Sequence, residues 1–257
     1  MLSVSNLTQG YDDKVVLDSV SLDVNKGEMV CVLGPNGSGK STLIKTVCNI
    51  LKPMGGDVTV NGRSVSDYDP KEFSKLVGYV PQNYSTSDYM KVFDAVLLGR
   101  APYMSWSYSK DDFRMAAKSI YDMGIFDLID RNVNDLSGGQ MQKVTLARAM
   151  TQNPEFYVLD EPTSALDLRN QIDTLTAIRK AVKESNAGAL VALHDLNLAI
   201  QFCDRVVLIK DGKVFRDGAP LDVIDEESIF QVYGVYSEIM EGREGKFVHI
   251  CERPPQN

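Results

Sequence analysis

The chain has 257 residues, 44% of them hydrophobic and 24% charged, enough to bury one large core or a core with an inserted lobe. A net charge of -8 without any basic stripe argues against a nucleic-acid partner. The first residues lack a signal-peptide pattern and the longest apolar runs are too short to span a bilayer, so a soluble cytosolic protein is expected, free to dock on a membrane protein. The four cysteines (Cys31, Cys48, Cys203, Cys251) are far apart with no CxxC pair and are expected to be free buried thiols.

In chain order, LSVSNL, KVVLDSV and SLDV read as short strands. The apolar run MVCVLG breaks at Gly34 into a helical pattern, with Leu43, Ile44, Val47, Cys48 and Leu51 on one face. VTVNGRSV places Asn61-Gly62 between two short runs, a hairpin signal. SKDDFRMAAKSIYDMG predicts a helix capped by Ser109 and stopped at Gly124, and DLSGGQMQKVTLARAM a second ending near Asn153-Pro154. Then come the strand FYVLD, a helix over 168–185, the strand ALVAL, a helix near 196–202 and the strand RVVLIK, which turns at Asp211-Gly212. Apolar strands alternating with helices indicate an α/β fold, a mainly parallel sheet buried on both faces, with an antiparallel β lobe near the N-terminus and a helical insertion. The expected division is a core of 1–90 and 154–220 that includes the lobe, a helical subdomain at 91–153 and an extension at 221–257. The extension carries no recognisable chemistry, and His249 reads as incidental.

Gly34 to Ser41 fits G-x-x-x-x-G-K-[ST] between a strand and a helix, the phosphate-binding loop of a P-loop NTPase. Backbone N–H groups of Gly34, Pro35, Asn36, Gly37, Ser38 and Gly39 (proline excepted) can close around phosphate oxygens at the positive end of the helix dipole. Lys40 then reaches the β- and γ-phosphates, Ser41 offers a hydroxyl to Mg²⁺, and Thr42 bonds a more proximal phosphate. Asp160 and Glu161 arrive at the C-terminal end of FYVLD, the edge where open α/β sheets bind ligands. Asp160 suits Mg²⁺ through a water, and Glu161 suits a general base acting on the attacking water. His194 follows ALVAL at another strand end, where it can sense the γ-phosphate. Gln82 in GYVPQ contacts the metal or the water, or simply ends an apolar stretch.

A second glycine turn, Ser137, Gly138, Gly139 and Gln140, opens a helix without a lysine. It is either a plain helix cap or half of a site whose phosphate comes from another molecule. Together, GPNGSGKST, GYVPQ, LSGGQMQKVTLARAM, YVLDEPTSALD and ALHD resemble the ATP-binding subunit of an ABC transporter, in that order and spacing, across almost the whole chain. The resemblance implies ATP and Mg²⁺ as cofactors and a head-to-tail dimer with a second copy, the signature serine and glycine (Ser137, Gly139) acting in trans on the partner's nucleotide. It further implies that Tyr11 stacks on adenine, Gln82 couples nucleotide state to membrane subunits, Asp167 lines the dimer interface and His194 is the switch histidine. Lys143 departs from the pattern, where many relatives carry arginine, but keeps the charge.

More narrowly, DAVLLGRAPYMSW and DGAPLDVIDEESIFQVYGV are similar to importers of ferric siderophores, haem or cobalamin. That implies a peripheral subunit on the cytoplasmic face of the membrane, bound to transmembrane permease subunits with a separate substrate-binding protein. The rival readings are a soluble single-cassette ATPase, such as one in iron-sulfur cluster assembly, and a small P-loop kinase or switch. The latter has no use for a lysine-free glycine helix start.

Overall fold

The computed structural model describes residues 1–12, 14–82 and 89–252; the stretch at 83–88, in the expected core, and 253–257, in the expected extension, lie outside the described residues. The elements run β1 (Leu2–Tyr11), β2 (Lys14–Val24), β3 (Met29–Leu33), α1 (Lys40–Val47), β4 (Gly55–Val60) and β5 (Arg63–Ser64). Next come α2 (Pro70–Leu76), β6 (Val77–Val80), α3 (Val92–Leu97), α4 (Lys110–Asp122) and α5 (Gly138–Gln152). The chain continues through β7 (Phe156–Asp160), α6 (Leu168–Ser185), β8 (Gly188–Ala192), α7 (Leu196–Phe202) and β9 (Arg205–Lys210). It closes with β10 (Lys213–Gly218), α8 (Pro220–Val223), α9 (Glu226–Tyr233), β11 (Tyr236–Gly242) and β12 (Gly245–Cys251).

These elements form two compact units, one of Met1–Val24, Glu28–Ser66 and Leu190–Asn257, the other of Asn25–Gly27 and Asp67–Ala189. The first unit holds the antiparallel lobe, ordered β2-β1-β4-β5, and the sequence β10-β9-β3-β8, where β3 and β9 are parallel and β10 returns antiparallel. β3 is buried at all five residues, as a strand covered on both faces must be. Leu43, Ile44 and Val47 of α1 are fully buried in this unit, each contributing roughly 1.5–3 kcal/mol of apolar burial.

The second unit holds the parallel pair β6-β7, in register from Val77↔Phe156 to Val80↔Leu159, and the helices α2 to α6. Arg100, in the short turn after α3, ties three helices together. Its Nε donates to Asp112 of α4 at 2.7 Å, and its Nη1 donates to the Thr151 and Gln152 carbonyls at the end of α5, at 3.4 and 3.2 Å. Its guanidinium lies 3.8 Å over the Tyr103 ring.

Both hairpins form where expected. Asn61-Gly62 and Asp211-Gly212 have positive φ at both turn residues, the two-residue geometry that matches strand twist. The capped helices α4, α5 and α6 also match. Four differences have local causes. KVVLDSV and SLDV are one strand, because Ser19 absorbs the irregularity at φ 55 while pairing with β1 continues from Leu17 to Val20. α1 stops at Val47, since Asn49 takes a left-handed φ of 56 and turns the chain away, leaving Cys48 and Leu51 half-buried. The short helix α2 forms on an Asp69 cap with Pro70 in its first turn. Residues after 220 build two helices and a hairpin. All four cysteines are free, but only Cys31 and Cys203 are buried; Cys48 and Cys251 are partly exposed.

Candidate functional site: two glycine helix starts and a carboxylate at a strand end

In the first unit the strand β3 delivers the chain to Gly34, whose backbone lies so close to the Ile209 carbonyl that an added Cβ would sit 2.4 Å from its oxygen. Only glycine fits there. Lys40 is buried and folds back on its own loop, its Nζ donating to the Gly34 carbonyl at 2.7 Å and to the Pro35 carbonyl at 3.1 Å. Those acceptors hold the ammonium in place and can be exchanged for phosphate oxygens. α1 begins at Gly39 with no side-chain cap, so the first-turn N–H groups of Lys40, Ser41 and Thr42 have no intrahelical acceptor. The buried Ser38 Oγ has no hydrogen-bond partner among the described residues. A buried cation at the positive end of a helix, with that hydroxyl in the same loop, fits a phosphate chain. Tyr11 and His194 belong to the same unit. Tyr11 ends β1 about half-exposed, and His194 is exposed between β8 and α7, just before the Asp195 that caps α7.

In the second unit β7 is buried throughout and ends at Asp160, which is 2% exposed. Glu161 then adopts φ 52, an unusual left-handed conformation for a residue with a side chain. That break in the strand's alternation frees the Glu161 side chain from the face opposite Asp160. The carboxylate accepts a hydrogen bond from Gln82 Nε2 at 2.6 Å. The backbone of Glu161 is held as well. Its carbonyl accepts from Gln142 Nε2 at 2.9 Å and from Ser164 Oγ at 3.1 Å, and the Gln142 Oε1 in turn accepts from the Ala165 N–H at 3.1 Å. Gln142 is thus a buried bridge from α5 to the 161–165 turn, and sequence reasoning passed over it. Its only signal is a second glutamine two residues after the glycine turn.

The same unit contains the second glycine start. Here α5 is capped reciprocally: Ser137 Oγ accepts from the Gln140 N–H at 3.3 Å, and Gln140 Oε1 accepts from the Ser137 N–H at 3.0 Å. The Gln140 side chain is therefore turned onto its own backbone. A Cβ at Gly139 would sit 3.0 Å from the Ala165 carbonyl oxygen, while one at Gly138 would meet open space. Ser137, Gly138, Gly139, Gln140 and Lys143 line an open cleft of about 520 Å³ together with Ala165, Leu166, Asp167 and Asn170. Asp167 caps α6 through the Asn170 N–H at 2.9 Å, and Lys143 Nζ is held by Asn170 Oδ1 at 2.5 Å. The structure therefore brings Gln82 onto Glu161 and gathers Ser137 to Gln140 with Asp167 around one cleft.

Residues 17–164 match the family model described as ABC transporter. The chain belongs to the ABC transporter family. This cassette is 41% identical over 244 residues to an uncharacterized ABC transporter ATP-binding protein of Methanocaldococcus jannaschii, covering 94% of this chain and 95% of that one. It is 33% identical to a siderophore transport system ATP-binding protein of Bacillus subtilis, covering 93% and 88%. It also superposes on a transporter assigned to the metal-chelate type, in an inward-facing conformation, with a TM-score of 0.82 at 28% identity over 97% of this chain and 96% of that one. The cassette binds and hydrolyses ATP. Among the described residues no helix is long and apolar enough to cross a membrane.

Proposed function

We propose that this cassette is the ATP-hydrolysing subunit of a membrane importer for a metal chelate of the siderophore, haem or cobalamin kind. The observation that carries this reading is the similarity to a siderophore-transport subunit over 93% of the chain, which extends well past the segment that defines the family. The cassette sits on the cytoplasmic face of the membrane against permease subunits, with a separate protein delivering the chelate.

The geometry around the two glycine starts and the end of β7 supports the following roles. Tyr11 stacks on adenine, and the loop from Gly34 to Gly39 closes its N–H groups on the phosphates. Lys40 exchanges its loop carbonyls for β- and γ-phosphate oxygens, and Thr42 holds a more proximal phosphate. Ser41, Gln82 and Asp160 supply a hydroxyl, an amide oxygen and a carboxylate, the hard oxygen donors that suit Mg²⁺. Mg²⁺ held by these residues would offset the charge that develops on the phosphates. Glu161, aimed by Gln82 and anchored by Gln142, takes the proton of the attacking water. His194 stands beside the γ-phosphate.

The capped, lysine-free helix start serves a second copy. Ser137 keeps its hydroxyl proton to donate because its oxygen accepts from Gln140, and the N–H groups of Gly138 and Gly139 lie in the first turn of α5, outside the intrahelical ladder. A γ-phosphate contributed by a partner chain bridges the two copies, and a diphosphate cannot, so hydrolysis releases the pair. Asp167 lines that interface.

Uptake measured in host cells tests the transport assignment. Cells whose only copy carries Lys40→Ala are expected to lose accumulation of a radiolabelled ferric chelate, haem or cobalamin. Unchanged uptake of all three would sink the importer reading and return the cassette to the soluble-ATPase class.

A further inference from the structure

Glu161 is held in its left-handed conformation from the helix that begins at the second glycine turn. A residue with a side chain at φ 52 is strained, and such a backbone persists where its surroundings over-determine it. Here the determinants meet at the Glu161 carbonyl. Ser164 turns back on it with both its N–H, at 3.2 Å, and its Oγ, at 3.1 Å, which closes the turn on itself. A further donor comes from outside the turn: Gln142 Nε2 at 2.9 Å, while Gln142 Oε1 takes the Ala165 N–H at 3.1 Å. One buried amide therefore spans the turn from its first residue to its fifth and fixes it to α5.

The same turn packs on the start of α5. Gly139 approaches it so closely that a Cβ would sit 3.0 Å from the Ala165 carbonyl oxygen and 3.2 Å from Leu166 Cδ2. Gln142 follows three residues later, on the same face of the helix. The turn is tied on its other side as well. Gln171 Nε2 donates to the Thr163 and Leu166 carbonyls at 3.3 and 3.0 Å, and Asp167 caps α6 through the Asn170 N–H at 2.9 Å. The first turn of α5, the 161–166 segment and the start of α6 are thus one hydrogen-bonded block. A shift of the α5 start is passed to the backbone of Glu161 through Gly139 and Gln142.

We infer that Gln142 is a positioning residue that aims Glu161 from α5, so that the turn offered to the partner's γ-phosphate also sets the base of its own chain. This rests on the proposed roles of Glu161 and of the Ser137–Gln140 turn. The helix start that receives the partner's nucleotide and the carboxylate that serves the chain's own nucleotide are thereby one mechanical part. Gln142 acts through backbone atoms alone, at the carbonyl of the base and the N–H four residues on.

Steady-state MgATP hydrolysis by the full chain tests the assignment with Gln142→Met, which keeps the side chain's length and removes both bonds. The variant is expected to lose about ten- to a hundredfold in kcat while KM for ATP stays within about twofold, because the phosphate loop is untouched. Placed on Glu161→Gln, the same substitution is expected to change the residual rate by less than about twofold, since a residue that acts through the base has nothing left to aim. Gly139→Ala, whose methyl presses on Ala165, is expected to slow wild type about tenfold and to add little to Gln142→Met. An unchanged kcat in Gln142→Met overturns the positioning role. A further loss of that size on Glu161→Gln marks a purely structural residue and overturns it too. Losses that multiply when Gly139→Ala and Gln142→Met are combined overturn the tie to the start of α5. If Gln142→Met melts below the assay temperature, Gln142→Glu, which keeps an acceptor for the Ala165 N–H, carries the same comparisons. Glu161→Gln hydrolysing at the wild-type rate removes the base reading itself, a result distinct from all of these.

Discussion

The residue on which the proposed chemistry turns is Glu161. Its left-handed φ, the Gln82 amide on its carboxylate and the Gln142 amide on its carbonyl all fix one orientation. Glu161→Gln keeps the shape and removes the base, so ATP hydrolysis is expected to fall by about 10²- to 10⁴-fold while ATP affinity is retained; steady-state hydrolysis and nucleotide titration check both halves. Gln142→Ala strips partners from the Glu161 carbonyl and the Ala165 N–H. It is expected to cost about 1–3 kcal/mol in a denaturant melt and to slow hydrolysis without touching the carboxylate. The strand-end position of Glu161 was legible in the sequence because an acidic pair closing an apolar run is a local pattern. Gln142 was not: its partners are backbone atoms 19 and 23 residues away, and no local pattern encodes them.

At the scale of elements, the sequence marked what short-range rules govern. Two hairpins turn at Asn-Gly and Asp-Gly, and the caps at Ser109 and Ser137 begin their helices. It did not show the early end of α1, which a left-handed Asn49 decides, nor the Arg100 tie between α3, α4 and α5, which depends on tertiary contact. Arg100 and Asp112 are both largely buried, so Arg100→Ala leaves a carboxylate without its cation and is expected to destabilise the protein by roughly 3–5 kcal/mol. The Arg100 guanidinium, helped by the Ser109 backbone N–H, holds the Asp112 carboxyl below the usual carboxylate range. A lowered folded pKa means the pair's stabilisation is complete above about pH 4 and is lost as pH falls through the folded value. The gap in stability between wild type and Arg100→Ala should therefore be largest near neutrality and shrink in acid. A gap independent of pH would contradict this.

At the scale of the whole molecule, the two glycine helix starts differ in a way that matches a division of labour. The start at α1 has no side-chain cap and carries a buried lysine bonded to its own loop, the features the proposed nucleotide role uses. The start at α5 satisfies itself with a Ser137–Gln140 cap and opens on a cleft of about 520 Å³. In the proposed reading one chain carries a site and the lid for another chain's site. The sequence showed both turns but could not choose between a cap and a shared site. The structure shows that the cap exists and that the cleft stands beside it, so the two readings are compatible. The most direct test is the mass of Glu161→Gln by light scattering, with MgATP, with MgADP and with neither. The account predicts a doubling of mass with MgATP alone. A monomer under all three conditions would contradict the shared ATP site on which the account stands.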